Sequence, residues 1–234
     1  MTPTLESPLR VIIFGANGMV GAAVLDTCLN DPSVEAVLAV GRKPSGRSHP
    51  KLKDLLVPDL IRLGDVREQF QGYNACFYTL GVTSAGRKEA EYRAVIVDLT
   101  VSIGKALIAA SPGLAICFVS GASSDETEKG KVMWARVKGE AENAVLGLGF
   151  GRAVVFRLGG LVPLKNFQSS TQLYRVLYAL LGPLLPLMHR FWPRLVTTPY
   201  ILGTAMIRAA RGQAFKARLE PGDIHALGSA ELPA

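Results

Sequence analysis

The sequence predicts an α/β fold built on a doubly wound parallel sheet. Short apolar runs alternate with longer amphipathic segments along most of the 234 residues. The short runs are apolar throughout and do not alternate with polar residues, as expected of strands covered by helices on both faces. A glycine-rich turn joins the first run to the first amphipathic segment, which is typical of a parallel strand–helix unit.

Each element is predicted from its composition and from the residues that end it. Strands are predicted over residues 11–14, 34–40, 55–57, 75–80, 114–119 and 153–156. Helices are predicted over residues 19–30, 89–110, 134–148 and 198–211, and Arg208 and Arg211 of the last are expected to be solvated. Residues 111–113, Ser-Pro-Gly, end the long helix. We interpret residues 1–234 as one domain in which residues 161–198 form a variable, substrate-side insertion.

Composition excludes several classes of protein. The chain is 49% hydrophobic and 19% charged, so it can bury a core and does not resemble a disordered chain. Its three cysteines are widely spaced, which argues against a disulfide framework or a zinc site. The first ten residues contain no apolar run typical of a secretory signal, and no apolar stretch reaches ~18 residues. We therefore expect no transmembrane segment and a cytoplasmic location.

The net charge of +7 is concentrated in the C-terminal third. Residues 143–219 contain ten Arg or Lys and no Asp or Glu. Such a region attracts anions such as phosphates, acidic substrates or lipid headgroups, although a solvated basic face would show the same composition. Nucleic acid is not expected as a partner, because the basic residues are scattered and no nucleic-acid-binding motif is present.

The turn after the first strand indicates a nucleotide site. Gly15, Gly18 and Gly21 form a GxxGxxG pattern between a strand and a helix, where glycines allow a tight turn and close approach of a pyrophosphate. The helix N-terminus offers free N–H groups to the phosphates. The residues expected to contact the cofactor here are Gly15, Asn17, Gly18, Met19 and Val20.

The end of the second strand favours NADP(H) over NAD(H). An NAD site usually has an acidic residue there for the ribose 2′-hydroxyl. This chain has Arg42 and Lys43 instead, and both could bind a 2′-phosphate.

Later strand ends contribute further candidate cofactor contacts. Asp59 and Leu60 follow the third strand, and Asp59 could accept a hydrogen bond from adenine or serve as a turn or cap residue. Leu80 and Gly81 end the fourth strand, where a small residue would let the backbone approach the cofactor, or where a glycine simply makes a turn.

Taken together, these motifs resemble the short-chain dehydrogenase/reductase superfamily, and in particular its atypical branch of Tat-interacting, oxidoreductase-like proteins. The resemblance is carried by residues 15–21, 41–43, 80–83, 97–98, 137–140, 156–157 and 224–228. It implies a Rossmann fold that binds NADP(H). Members of the family often pair through their long helices, so the resemblance leaves a homodimer open.

The resemblance also implies catalytic positions, one of which departs from the family pattern. Members commonly use Ser, Tyr and Lys, with Tyr and Lys spaced YxxxK on one helix face. Lys138 has the lysine position, which also holds the cofactor's ribose, but Trp134 replaces the tyrosine. An indole donates only and cannot perform the tyrosine's acid–base role. Ser120 and Ser123, with the adjacent Ser124, are candidates for the serine, or are turn residues.

Three functions stay open on the sequence. The first is an NADP(H)-dependent oxidoreductase or epimerase acting on an unidentified small apolar or anionic carbonyl or hydroxyl compound. The second is a cofactor-binding regulatory protein without turnover, which the Trp134 substitution favours. The third is a peripheral membrane protein that uses the apolar, basic residues 174–196, which otherwise form a lid over the cofactor or pack on the core.

Overall fold

A seven-stranded parallel sheet forms the centre of the computed structural model, which describes residues 7–161 and 196–229. Its strands, in chain order, are β1 (Leu9–Phe14), β2 (Val34–Gly41), β3 (Leu52–Leu56), β4 (Ala75–Tyr78), β5 (Ala115–Gly121), β6 (Arg152–Leu158) and β9 (Arg218–Leu219). Two further strands, β7 (Gly160–Leu161) and β8 (Val196–Thr197), pair with each other in a separate small sheet. The strand order is β3-β2-β1-β4-β5-β6-β9, and every neighbouring pair is parallel. The predicted doubly wound α/β fold is confirmed.

Helices cover both faces of this sheet. They are α1 (Met19–Asn30), α2 (Glu89–Arg93), α3 (Leu99–Ala110), α4 (Met133–Gly147), α5 (Pro199–Ala210) and α6 (Pro221–Ser229), with a 3₁₀ helix at Leu63–Phe70. One core cluster contains α1, α5 and α6, and the other contains α3, α4 and the 3₁₀ helix. Along β1, Val11 and Ile13 face the first cluster while Ile12 and Phe14 face the second, and all four are fully buried. Burial on both faces explains why the strands are apolar throughout.

The structure corrects several predicted boundaries. The third strand begins at Leu52 and contains Lys53 and Asp54, because an edge strand is half exposed and accepts polar residues that an apolar pattern misses. The long helix predicted over 89–110 is interrupted by a π-helical turn, Ala94–Asp98. The two-residue β9 and the short helix α6 were not predicted, since neither is long enough to show a period.

The expectation that Arg208 and Arg211 are solvated is wrong. Arg208 Nη1 donates to the Leu227 carbonyl at 2.7 Å, and Arg211 Nη2 donates to the Ser33 carbonyl at 3.1 Å. Helix α5 packs between α1 and α6, so its long basic side chains reach carbonyl groups at the ends of neighbouring segments. Both side chains are therefore partly buried and bonded to backbone carbonyl groups.

Residues 162–195 lie outside the described residues. They include most of the predicted insertion at 161–198 and nearly all of the apolar segment 174–196. Within the described ranges, none of the helices combines the length and apolar character needed to cross a bilayer.

Candidate cofactor-binding site

A cleft of about 610 Å³ opens at the carboxyl edge of the sheet, where β1, β2 and β4 end. It brings together most of the predicted cofactor contacts, namely Gly15, Asn17, Gly18, Arg42, Lys43, Leu60, Leu80 and Gly81. The carboxyl ends of parallel strands are where doubly wound folds bind ligands. The cleft therefore lies where the sheet topology places a nucleotide.

The glycine loop is shaped by close backbone contacts. Gly15 has φ +88°, a left-handed conformation that favours glycine, and the Gly18 N–H donates to its carbonyl at 2.9 Å. A Cβ on Gly21 would overlap the Gly15 carbonyl, so α1 can approach β1 only with glycine there. Thr79 Oγ1 donates to the Phe14 carbonyl at 2.7 Å and packs beside the loop, a contact that sequence reasoning missed.

The N-terminus of α1 is open to an anion. Its N-cap residue is Gly18, which has no side chain to cap the first helical N–H groups, and the first turn contains no acidic residue. Uncapped N–H groups and the positive end of the helix dipole together form a phosphate-binding arrangement. The residues present therefore fit a dinucleotide whose pyrophosphate would lie at this turn.

The two cations after β2 are exposed beside the cleft and tied to the glycine loop. Asn17 Nδ2 donates to the Lys43 carbonyl at 3.0 Å, which links the two sides of the cleft. Ser45 also lines the cleft, and both its N–H and its hydroxyl donate to Asp54 at 3.1 Å. These bonds order the turn that holds Arg42 and Lys43. Asp54 was missed because nothing in a short edge strand signals such a contact.

Four predicted contacts lie apart from the residues that line the cleft: Asp59, Met19 and Val20, and also Lys138, which lies at the end of β5. The Asp59 carboxylate accepts a hydrogen bond from the Ile61 N–H at 3.0 Å, so the structure supports its alternative as a turn residue. Met19 and Val20 are partly buried and pack on the core cluster under α1. Their side chains serve helix packing, because the first turn of α1 directs them toward the sheet.

The serine candidates lie at the end of β5. The Ser120 and Ser124 hydroxyls are buried and 3.0 Å apart, and Ser124 Oγ donates to the Gly121 carbonyl at 2.8 Å. Ser123 is exposed, with φ 66°. The structure thus pairs Ser120 with Ser124 and leaves Ser123 as a surface turn residue.

Lys138 extends from α4 toward the same strand end. A Cβ built on Gly121 would lie 3.5 Å from Lys138 Nζ. Helix α4 is held against this loop because the Asp125 N–H donates to the Ala135 carbonyl at 2.9 Å and a Cβ on Gly139 would overlap the Asp125 carbonyl. Burial lowers the pKa of Lys138 below the usual lysine value, and the charge of Glu142 partly opposes that shift.

Trp134 stands one helical turn before Lys138 and is partly buried against the α3–α4 core cluster. Tyr78, at the end of β4, is buried, and its hydroxyl accepts a hydrogen bond from Thr100 Oγ1 at 2.8 Å. Tyr78 packs against the rings of Phe14 and Phe118 as a core residue, and this burial raises its pKa. The described residues also contain no cluster of three or more His, Cys, Asp or Glu side chains suited to a metal.

A buried ion-pair network lies behind Lys138 and was not predicted from sequence. Glu142 is fully buried and accepts hydrogen bonds from Arg157 at 2.6 Å and from Arg218 at 3.2 Å. Arg157 also pairs with Glu126 at 3.3 Å and with Glu220 at 3.0 Å. The network joins α4, β6, β9 and the start of α6, so it holds the helix that carries Lys138.

Sequence comparison relates the chain to a group of fungal proteins, although no family model matches it. It is 31% identical over 157 residues to the mitochondrial protein fmp52 of Aspergillus clavatus, an alignment that covers 64% of this chain. The chain spans 65% of the length of that relative.

Several solved structures of other proteins superpose on this chain. MoeE5, in a complex with UDP-glucuronic acid and NAD, superposes with a TM-score of 0.65 over 91% of this chain and 76% of its own, at 16% identity. A short chain dehydrogenase family protein of Francisella tularensis superposes with a TM-score of 0.63 over 94% of this chain and 100% of its own, at 15% identity. The chain therefore has the Rossmann-type fold that these structures share, and the fold implied by the resemblance of its motifs is confirmed.

The expected cytoplasmic location is contradicted by the same comparisons. The relative from Aspergillus clavatus is named as mitochondrial, and so are relatives from Emericella nidulans, Debaryomyces hansenii and Candida albicans. The expectation rested on composition and on the absence of a secretory signal, and neither observation distinguishes the cytoplasm from an organelle that uses other signals.

Proposed function

We propose that this short-chain dehydrogenase-like protein binds NADP(H) in the cleft and reduces, or forms by oxidation, a small apolar or anionic carbonyl compound. The observation that carries the proposal is the coincidence, in one cleft, of an uncapped helix N-terminus at Gly18 with two cations at the end of β2. The helix N-terminus suits a pyrophosphate, and the two cations suit a further phosphate.

Different residues of the cleft would bind different parts of the cofactor. Gly15 and Gly18 would hold the pyrophosphate with backbone N–H groups, and Leu60 would pack against the adenine. Arg42 and Lys43 would bind the 2′-phosphate. Leu80 and Gly81, at the end of β4, would pass close to the ribose next to the nicotinamide.

The choice of NADP(H) over NAD(H) rests on charge. MoeE5 was solved with NAD, so the fold itself admits the cofactor without the additional phosphate. In this chain the nearest carboxylate of the cleft, Asp54, is occupied by two hydrogen bonds from Ser45. Among the residues that line the cleft, Arg42 and Lys43 are the exposed charged side chains, and both favour a phosphate over a hydroxyl.

The catalytic end is suited to reaction at a carbonyl. A nicotinamide supplies or accepts a hydride at the carbonyl carbon. The paired hydroxyls of Ser120 and Ser124 would orient the carbonyl oxygen, and Lys138 would hold the ribose with its ammonium N–H groups. Trp134 supplies no transferable proton, so tyrosine-dependent catalysis of the usual kind is not available to this chain.

A second candidate is a regulatory protein that binds NADP(H) without turnover. Trp134 is the observation that favours it, because loss of the tyrosine removes an acid that typically contributes ~10²–10⁴-fold to rate. The two candidates share the cofactor and differ only in the reaction.

The test measures binding and turnover together. NADPH binding is measured by calorimetry, and NADPH oxidation is followed by absorbance with 4-nitrobenzaldehyde and a short panel of quinones and 2-oxo acids. We expect binding together with saturable turnover of at least one compound. Binding without turnover across the panel would favour the regulatory protein, and absence of binding would contradict both candidates.

A further inference from the structure

Lys138 places its amine at the carboxyl end of β5, beside the end of β4 that lines the cleft. Within the part of the chain that the structure describes, no hydrogen bond or salt bridge reaches its Nζ atom. The side chain is partly buried and lies along Gly121, with its Cδ, Cε and Nζ all within 3.8 Å of the position a Cβ would take there. Because the Nζ atom is not fully buried, its N–H groups are open to a ligand or to water at this strand end.

The charges around Lys138 leave it desolvated but not neutralised. Glu142, one turn further along α4, is the nearest acid, but its carboxylate is bonded to Arg157 and Arg218. The other charged groups of that network are Glu126, before α4, and Glu220, before α6, and both pair with Arg157. On β5 the facing groups are the Ser120 and Ser124 hydroxyls, which do not carry charge.

We propose that Lys138 itself donates the proton to the substrate oxygen, in place of the tyrosine that Trp134 replaces. This inference rests on the proposed function, because it requires carbonyl reduction at the end of β5. The side chain reaches that strand end, and its N–H groups are not used by any described residue. An arginine could not act in this way, because its guanidinium does not lose a proton in proteins.

The step balances without a further group. When the carbonyl carbon accepts a hydride, the electron pair of the C=O π bond takes a proton from Lys138 Nζ. One N–H bond breaks, one O–H bond forms, and the products are the alcohol and a neutral amine that water reprotonates. Burial of the amine, which lowers the pKa of Lys138, brings it closer to the range in which a general acid works well.

The first measurement is independent of turnover. Lysines of the protein are labelled by reductive methylation with ¹³C-formaldehyde, and the signal lost in Lys138→Arg identifies Lys138. We expect this amine to titrate at a lower pH than the ordinary lysine value of 10.5, both with and without NADPH. Titration of Lys138 together with the exposed lysines would overturn the inference.

The second measurement is the pH profile of 4-nitrobenzaldehyde reduction at saturating NADPH. We expect the wild-type rate to fall as pH rises through the pKa of Lys138. In Lys138→Arg the rate should be lower by roughly 10²–10⁴-fold, without that decline, since the arginine retains the charge but cannot donate. The matched control is Lys105→Arg, on the exposed side of α3, which should keep the wild-type rate and profile.

The outcomes separate this inference from the proposed function. Reduction that keeps the wild-type pH profile in Lys138→Arg overturns the role of Lys138 and leaves the NADP(H)-dependent reduction standing. NADPH binding without reduction of the aldehyde also overturns the role, and favours the regulatory candidate. Absence of NADPH binding overturns the proposed function and this inference together.

Discussion

Trp134 and Lys138 lie one helical turn apart on α4 and differ in what they could contribute to the proposed reaction. Trp134 is partly buried against the α3–α4 core and does not act as an acid, whereas Lys138 reaches the end of β5 with an amine that none of the described residues bonds. The exchange of tyrosine for tryptophan is visible in the sequence. The desolvation of Lys138 is not, because it depends on Gly121 and on a distant network.

Among single residues, we predict that the indole of Trp134 is dispensable for the reaction. Trp134→Phe keeps an aromatic ring in the core and removes the indole N–H, so any loss of turnover should be small beside the ~10²–10⁴-fold that a general acid supplies. The measurement is kcat with 4-nitrobenzaldehyde and NADPH. A loss as large as that of Lys138→Arg would assign the proton donor to Trp134 and contradict our account of the site.

We also predict that Lys138→Met stabilises the fold at neutral pH. In the unfolded chain the Lys138 amine keeps its proton up to the ordinary lysine pKa of 10.5, whereas in the folded protein it loses the proton at lower pH. The unfolded state therefore binds more protons between these two values, and wild-type stability rises with pH across that window.

The methionine variant removes this dependence while it fills a similar volume. Its free energy of unfolding at pH 7 should exceed that of wild type, because the folded protein holds the charged Lys138 amine at a cost that the methionine does not have. Urea denaturation at pH 7 and pH 9.5 measures it, with Lys105→Met as the exposed control. A loss of stability in Lys138→Met at both pH values would show that Lys138 is not held at an electrostatic cost.

Among the elements, the glycine loop between β1 and α1 gives the most direct prediction. A Cβ on Gly21 would overlap the Gly15 carbonyl, so Gly21→Ala should displace α1 from β1 and weaken NADPH binding by at least about tenfold, the equivalent of 1.4 kcal/mol. Gly147→Ala, at the end of α4, meets nothing within 4 Å and is the matched control. Equal affinities of the two variants in calorimetry would show that the loop does not bind the cofactor.

The ion-pair network behind α4 gives a second prediction for elements. Arg157→Leu leaves Glu142 fully buried without its main partner, which should lower the free energy of unfolding by about 3–5 kcal/mol. The exposed pair of Arg10 and Glu35 is the comparison, and Glu35→Gln should change stability by no more than about 1 kcal/mol. Denaturant titration measures both, and a small effect of Arg157→Leu would contradict a structural role for the network.

What the sequence predicts well are features with a local cause. The strand at Val34–Gly41 and the helix at Met19–Asn30 follow from runs of apolar residues and from the glycines that bound them. The contact between Ser45 and Asp54 spans nine residues, from the turn after β2 to β3, and the network around Glu142 reaches Arg218, 76 residues further along the chain. No local pattern indicates such pairs, and neither was predicted. The start of β3 was also missed, because its first residues include the polar Lys53 and Asp54. These residues form a strand through pairing with β2, which the local sequence does not show.

At the scale of the whole molecule, two positive charges lie at the edge of the sheet where the topology predicts a ligand site. The sheet order brings the ends of β1, β2 and β4 into one cleft, and that cleft contains Arg42 and Lys43 beside the uncapped start of α1. The strand order and the cations thus point to the same ligand, a dinucleotide with a further phosphate. Among the described basic residues of the C-terminal third, Arg157 and Arg218 pair with the buried Glu142 and with the half-exposed Glu126, so their charge serves the fold.

Binding of NADP(H) at this cleft is best tested by calorimetric affinity for NADPH and NADH, in wild type and in Arg42→Ala. A charge-assisted hydrogen bond contributes about 1.5–3 kcal/mol, so wild type should bind NADPH at least about tenfold more tightly than NADH. In Arg42→Ala that preference should shrink by a similar factor, while affinity for NADH is retained. Equal affinity of wild type for the two cofactors, or an unchanged preference in Arg42→Ala, would contradict the assignment of the 2′-phosphate to Arg42 and Lys43.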